Sequence, residues 1–441
     1  MGDLDTSRRS FLGSGGALAA AALAAPAVIT ACRAVPSAAG AGLGPSASKG
    51  RALRVGVIGC GGRGGGAAMD ALKASPDTRV VALGDVFPQR VEAVAAGLAK
   101  ADAVRGSVPA SARFSGFDAY RKVLETDCDL VILATAPGFR PTHYAAAVDA
   151  GKHVFFEKPV AVDPSGVRTV LDASARAAAR KLCVATGTQR RHERCYLEAM
   201  ALVRSGAIGR PVAARCYWNQ GGLWSKEPDP ALSEMENQVR NWLYFTWLSG
   251  DHIVEQHVHN IDVVQWAFGD EHPLRAIAVG GRQVRTQPIY GAINDHFGVH
   301  LEYPGDRFAA SMSRQQEGTD GRVEEVVYGT EGTLLTSSGR AEIRGRHPWT
   351  FAGDNPNPYV QEHVDLQEAV RGNAPYLNEG RRIAESTMAA IMGRMAAYTG
   401  KDLEWDAALN DPMDLVPKDP RPGPGVREAV AMPGQQPAAR S

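Results

Sequence analysis

The sequence lacks a net charge of either sign: 48 lysines and arginines stand against 48 aspartates and glutamates in 441 residues. No long basic run breaks that balance, so a polyanionic partner is not indicated and nucleic-acid binding is set aside. The six cysteines (Cys32, Cys60, Cys128, Cys183, Cys195, Cys216) form no CxxC pair and keep no regular spacing, which argues against a zinc knuckle and against a disulfide framework. No stretch approaches the roughly 20 strongly apolar residues of a permanent membrane span, and no internal repeat is found. What is present is an apolar content of 44% with 48 glycines and 27 prolines, the make-up of an α/β protein with many tight turns. A chain of this length exceeds a single core, which stops growing near roughly 250 to 300 residues, so two domains are expected.

Residues 1–32 read as an export signal: Arg8-Arg9, then Phe11-Leu12, an Ala-rich run, and Ile29-Thr30-Ala31-Cys32. Twin arginines mark the route that carries folded proteins across the bacterial inner membrane. SRRSFLG resembles that signal, with Gly13 where lysine is common, and ITAC resembles a lipobox in which Cys32 is acylated. Cleavage near Ala25 or Ala27 without a lipid is the alternative. The expected location is therefore periplasmic or membrane-anchored, with membrane contact confined to the signal or the lipid. Residues 33–50, rich in Ala, Gly, Ser and Pro, read as a flexible tether.

Folding is expected to start at Leu53. LRVGVIG is a strand-length apolar run that flows into Gly59-Cys60-Gly61-Gly62-Arg63-Gly64, then into helical AAMDALKA and a second strand, TRVVALGD, ending at Asp85. DLVILATAP, HVFFEKP and KLCVATG follow as strands with helical segments between them. Such alternation predicts a doubly wound parallel sheet over residues 51–188. From Pro211 the runs VAARCYWN, LRAIAVGGRQV, HFGVHLEY, RFAASMSR and VEEVVYG are separated mostly by short turns, which predicts a large, mostly antiparallel open sheet in an α+β domain over residues 189–406. One helix is expected over 250–268 and two more over 358–371 and 378–398, followed by a C-terminal extension, 407–441, whose proline-rich part from Pro412 to Ser441 is expected to wrap the surface.

A GxGxxG pattern alone is weak, but Gly59, Gly61 and Gly64 follow a strand and open a helix, with Asp85 ending the next strand. The first glycine permits the turn, the second lets backbone approach a pyrophosphate, and the third lets helix and strand pack. Gly62 and Arg63 belong to the same loop. Asp85 is suited to a ribose diol and repels a 2′-phosphate, which favours NAD, while Arg63 keeps NADP open. Thr135, Pro137, Glu157 and Lys158 fall at the ends of later strands, at the same carboxyl edge where parallel sheets bind ligands. Lys158 there can orient a substrate hydroxyl and stabilise charge as the proton leaves.

In GDHIVEQHVHNID, Asp251, Glu255, His259 and Asp262 are spaced by four, four and three, which on a helix places them along one face beside the stripe Val254, Val258, Ile261 and Val264. His257 points elsewhere, and HxH on a helix chelates poorly, so no metal is expected. Four of the seven tryptophans (Trp218, Trp224, Trp242, Trp247) precede this stretch. Trp224, in GGLWSK, is read as a sugar-stacking wall, with Asn219 and Gln220 as hydroxyl partners, and Trp242 and Trp247 as core. Arg190, Arg191 and His192 either line the cleft or form an interdomain ion pair.

Together the glycine loop, AGKHVFFEKP, QRRH and HNID resemble the Gfo/Idh/MocA family of nicotinamide-dependent sugar and inositol oxidoreductases, over residues 53 to about 406. The resemblance implies an N-terminal Rossmann domain, a C-terminal sheet domain that often makes dimers or tetramers, and a catalytic lysine, acid and histidine. Carried onto this chain, these are Lys158, Glu255 (where aspartate is usual) and His259 as general base, with Asp262 and Arg191 toward the substrate. The expected activity is NAD(P)-dependent oxidation of a sugar, glycoside or polyol hydroxyl, in a homodimer or homotetramer. Because free nicotinamide is scarce outside the cytoplasm, the cofactor is expected to be tightly bound, NAD first. The alternatives are glycoside cleavage by transient oxidation and elimination on bound NAD, or a non-catalytic exported sugar-binding lipoprotein.

Overall fold

The computed structural model describes residues 51–435. The export signal, the Cys32 lipobox and the tether, residues 1–50, lie outside the described residues. In the first half the chain forms β1 (Leu53–Ile58), α1 (Gly62–Ala74), β2 (Thr78–Asp85), α2 (Pro88–Ala101), β3 (Arg113–Ser115), α3 (Ala119–Leu124), β4 (Leu130–Leu133), α4 (Arg140–Asp149), β5 (His153–Phe156), α5 (Pro164–Ala179) and β6 (Val184–Thr186). The strands order as β3-β2-β1-β4-β5-β6, all parallel. β1, β4 and β5 are nearly continuous apolar runs because helices cover both faces. The order reverses between β1 and β4, which opens a crevice at their carboxyl ends.

Then come α6 (Arg194–Arg204), β7 (Pro211–Gln220), α7 (Glu234–Arg240), α8 (Thr246–Ser249), α9 (His252–Glu255), α10 (Val258–Ala267), β8 (Arg275–Gly281), β9 (His296–Tyr303), β10 (Arg307–Gln315), β11 (Arg322–Gly329), β12 (Gly332–Ser337), β13 (Arg340–Gly345), β14 (Trp349–Thr350), α11 (Pro358–Arg371), α12 (Gly380–Thr399), β15 (Leu403–Glu404) and α13 (Trp405–Leu409). Nine strands order as β14-β13-β12-β11-β7-β10-β9-β8-β15, antiparallel except where β7 meets β10. The fold is thus the α/β architecture read from the sequence: a Rossmann sheet and a large, mostly antiparallel open sheet.

Two features depart from that reading. The single helix expected over 250–268 is broken into α9 and α10 at Gln256-His257. The break turns His257 into the sheet, where its Nε2 lies 2.7 Å from Ser311 Oγ and 3.7 Å from Cys216 Sγ. Also, α11 returns across residue 188 to the first sheet: Leu366, Ala369 and Val370 pack with Leu53, Val55 and Phe155. Gln367 fixes it there, accepting from Thr78 Oγ1 (2.6 Å) and donating to the Ala71 carbonyl (2.9 Å).

Candidate active site

The glycine loop is built for a phosphate. Gly59 has φ +97°, and a Cβ on Gly64 would sit 1.7 Å from the Gly59 carbonyl oxygen, so both positions demand glycine. A Cβ on Gly61 or Gly62, by contrast, would meet no atom within 4 Å. These two glycines leave an open cradle at the start of α1, whose first N–H groups have no side-chain cap. Asp85 braces the loop, accepting from the N–H of Cys60 (2.7 Å) and of Phe87 (2.9 Å), and each oxygen keeps a lone pair for a ribose hydroxyl. Thr135 and Asp85 line the neighbouring hollow with Tyr120, Phe139 and His143, and Thr135 Oγ1 lies 3.2 Å from His143 Nδ1. Pro137 is buried at the start of the turn that carries Phe139. A dinucleotide therefore fits the residues present: an anion cradle, a diol acceptor and an aromatic hollow.

Arg63 is committed elsewhere than to the ribose end. Its guanidinium pairs with Glu157 and, at 3.0 Å, with Glu362 of α11, under the Tyr359 ring at 4.7 Å. Glu362 is fully buried, and burial together with the neighbouring Glu157 pushes its carboxyl well above the usual range. Glu157 thus serves Arg63, not its neighbour Lys158.

Lys158 reaches the second domain. Its Nζ donates to the Glu255 carbonyl oxygen at 2.6 Å and stands 3.4 Å from Glu255 Oε1. The helix break explains this partner, because ending α9 at Glu255 leaves that carbonyl without an intrahelical N–H. His259, one turn further on, is buried. Burial first, then the cations Lys158, Arg190 and Arg63, hold its imidazole well below the usual histidine range, so it stands neutral and able to accept a proton. Glu255 Oε2 and His259 Nδ1 are buried with no hydrogen-bond partner in the protein, as are Gln220 Nε2, Ser313 Oγ and Gln315 Nε2. The register pairs Trp218 with Ser313 and Gln220 with Gln315 on the face that carries Cys216 and Ser311 toward His257. Buried unpaired donors and acceptors on a sheet face beside a base are what a polyhydroxylated ligand would satisfy.

Five residues expected at the site or on its helix face are placed otherwise. Asp262 is wholly taken up by Arg191 (2.8 and 3.0 Å), Arg382 (3.0 Å) and Ser386 (2.8 Å), so Arg191 and Asp262 form the buried ion pair and do not face a substrate. Asn219 sits opposite Arg314 and Arg322, and strand alternation turns it to the other sheet face from Trp218 and Gln220. Trp224 is 44% exposed in the loop after β7, edge-on to Trp242, whereas the ring that stacks on His259 is Trp218. Asp251 caps α9, accepting from Asn294 N–H and Tyr398 O–H. Local spacing could not find Glu362, Tyr359, Ser313 or Gln315, because each lies tens to hundreds of residues from its partner. Among the described residues, no group of three or more His, Cys, Asp or Glu side chains could hold a metal ion.

A cofactor crevice with an anion cradle, facing a lysine, a carboxyl and a neutral histidine across two domains, defines a nicotinamide-dependent oxidoreductase of CH–OH groups. The family models concur: residues 53–186 match the oxidoreductase family NAD-binding Rossmann fold and residues 196–335 the GFO/IDH/MocA C-terminal domain. The chain belongs to the Gfo/Idh/MocA family. It is 30% identical to an inositol 2-dehydrogenase of Acidothermus cellulolyticus over 312 residues, 70% of this chain and 79% of that protein. An inositol 2-dehydrogenase of Burkholderia lata is 28% identical over 57% of this chain and 62% of its own length. In fold it is similar to an aldose-aldose oxidoreductase from Caulobacter crescentus, with a TM-score of 0.64 and 20% identity over 80% of this chain and all of that one. It is likewise similar to an Agrobacterium radiobacter oxidoreductase solved with NAD+, L-tartaric acid and magnesium, with a TM-score of 0.61 and 17% identity over 80% and 99% of the two chains.

Proposed function

We propose that this protein oxidises a secondary hydroxyl of a neutral sugar or polyol, with NAD rather than NADP held between the two domains. Lys158 orients the hydroxyl, His259 takes its proton, and Glu255 holds Lys158 while keeping one carboxyl oxygen for a further hydroxyl. The bound nicotinamide supplies the acceptor for the hydride that leaves the same carbon. The observation that carries this reading is the convergence of Lys158, tied to the Glu255 carbonyl at 2.6 Å, with a buried uncharged His259. NAD is favoured because Asp85 stands at the ribose end while Arg63, the one cation in the glycine loop, is occupied by Glu157 and Glu362. Inositol, the cyclic polyol in the names of the inositol 2-dehydrogenase relatives, matches the neutral polar groups of the sheet face, Gln220, Ser313 and Gln315.

Export through the twin-arginine route, signalled by Arg8-Arg9, would carry the protein folded with its cofactor already in place. A cofactor that stays bound must be reset in each cycle, by reducing a second sugar or by returning the hydride after a glycoside's aglycone is eliminated and water is added in its place. The proposed assembly is a homodimer or homotetramer through the open sheet face, where Val279 is 72% exposed and shares that face with Met312, Ile277 and Phe308. The test is direct. Protein folded in the cytoplasm is dialysed, denatured and examined for nicotinamide by mass spectrometry, and the native protein is titrated with inositols and aldoses while reduced nicotinamide absorbance is followed. Stoichiometric NAD that becomes reduced on adding a polyol supports the reading. An empty protein that added NAD and sugars do not turn over, or bound NAD that no sugar reduces, overturns it in favour of a sugar-binding lipoprotein; an empty protein that added NAD restores is one that exchanges its cofactor.

A further inference from the structure

A catalytic histidine usually has its second ring nitrogen fixed by a carboxylate or a carbonyl, which sets both tautomer and ring plane. His259 has no such partner, since Nδ1 is buried and makes no hydrogen bond within the protein. What meets the ring instead is the Trp218 indole, stacked at 5.7 Å between centroids with 19° between planes. Trp218 is itself fixed. Its Nε1 donates to Gln220 Oε1 at 2.8 Å, and the Arg190 guanidinium lies over the indole at 5.6 Å.

Arg190 comes from the turn after β6 that links the two domains, and is buried. Its charge is met by Glu325 of β11, in the second. Glu325 is fully buried and also accepts from Asn260 Nδ2 (2.6 Å), Thr336 Oγ1 (2.8 Å) and Tyr196 O–H (3.1 Å). Asn260 is the residue after His259, so one buried node holds the backbone beside the imidazole and, through Arg190 and Trp218, the face of the ring.

We propose that Trp218 and Arg190 are positioning residues for His259, the stacked indole setting the plane of the imidazole in place of a hydrogen bond to Nδ1 and the Arg190–Glu325 pair setting the indole. This inference rests on the role given to His259 above. The charged groups around the imidazole are Lys158 and Glu255 in the cleft, Arg63 from α1, and Arg190 with Glu325 behind the indole. Of these, Arg190 is the cation whose effect is delivered from outside the cleft, and its removal lets the imidazole take a proton at higher pH. A stacked ring resists tilt, so the imidazole keeps its plane without a hydrogen bond to Nδ1.

The test uses the full chain with its histidines labelled with nitrogen-15. His259 is assigned by the signal lost in His259→Asn, and the ring is titrated by NMR in Trp218→Leu, Trp218→Phe, Arg190→Met and Arg190→Lys. In Trp218→Leu and Arg190→Met the His259 ring is expected to titrate closer to the ordinary histidine value of about 6.5, with cofactor content kept; in Arg190→Met, His257, which the same guanidinium also holds down, moves in the same direction. Turnover is expected to fall about 100-fold with KM little changed, the cost of a misplaced base. Trp218→Phe and Arg190→Lys are expected to recover most of both. If the His259 titration is the same in all four variants, or if KM rises while the titration stays put, the indole is a substrate wall and the proposal is wrong. Should Arg190→Met fail to fold, Trp218→Leu still reads the stack, and should Trp218→Leu fail, Arg190→Met still reads the pair that sets the indole. If His259→Asn retains turnover while the titration moves as expected, the catalytic reading fails and the positioning one stands.

Discussion

Lys158 and Glu255 are held by each other, and His259 by ring stacking, and that difference orders their expected contributions. Lys158 depends on the Glu255 main-chain carbonyl more closely than on its carboxyl, 2.6 against 3.4 Å. Lys158→Met is therefore expected to lower turnover about 1000-fold and His259→Asn by a comparable factor, within the range for acid–base groups, whereas Glu255→Gln costs about tenfold because the carbonyl survives. Steady-state kinetics on the three variants check that order. Because the buried His259 is held well below the ordinary range, a base of that kind stays neutral as the medium is acidified. The kcat/KM profile is accordingly expected to stay flat through the region where a free imidazole titrates, and an acid limb near 6.5 would contradict it. At this scale Gly59, Asp85, Lys158 and His259 could be read from the sequence, since each sits at a strand end or in a pattern of a few neighbours. Arg191 and Asp262 could not, because 71 residues separate them and the further partner Arg382 lies 120 beyond Asp262.

At the level of elements, α1 and the α9–α10 break decide what the cleft can bind. The loop before α1 contains glycines of two kinds, and substitutions should tell them apart. Gly62→Ala, entering open space, is expected to leave the melting temperature unchanged yet weaken NAD binding at least tenfold, because the methyl occupies the cradle. Gly64→Ala, meeting the Gly59 carbonyl at 1.7 Å, is expected to disrupt the loop and lower the melting temperature as well. Calorimetry and cofactor titration on the pair check both. The strand-turn-helix unit was legible because its pattern is local. The break was not, because the chain leaves its helix to seat His257 against Ser311 and Cys216, residues on strands 54 and 41 positions away.

The whole molecule is joined by polar contacts that run between its halves. His192, in the turn after β6, lies 2.6 Å from Asp365 on α11 and 3.5 Å from Glu379. Burial alone would lower its pKa, but Glu379 and Asp365 prevail and raise it to about 10. A group raised in the folded state stabilises fully below its unfolded value, near 6.5, and loses that contribution as pH climbs through the folded value. The melting temperature is expected to fall between pH 6.5 and about 10 by more in the wild type than in His192→Gln. The tail makes a second tie: Glu428 accepts from the N–H groups of Thr246 and Trp247, while Leu415, Val416 and Val426 pack on Phe87, Phe139 and Trp247. Removing residues 412–441 is expected to lower the melting temperature by several degrees and to speed cofactor loss, since Phe139 lines the hollow beside Asp85.

By itself the sequence determined the alternation of strands and helices, the two kinds of sheet, the glycine cradle with Asp85, and the positions of Lys158 and His259. Most of these are written in short-range periodicity or in strand-end chemistry, where neighbours a few residues apart set the outcome, while His259 is singled out by the resemblance of HNID to the family's pattern. Only the tertiary structure decided that Glu255 would offer its carbonyl, that Asp262 and Arg191 would spend their charges on each other, that Asn219 would face away from Trp218, and that α11 would return to the first sheet. Those outcomes depend on which buried charges find partners and which strand faces meet helices. The energies that settle such contacts act between residues that the sequence places far apart and that only folding brings within a few ångströms.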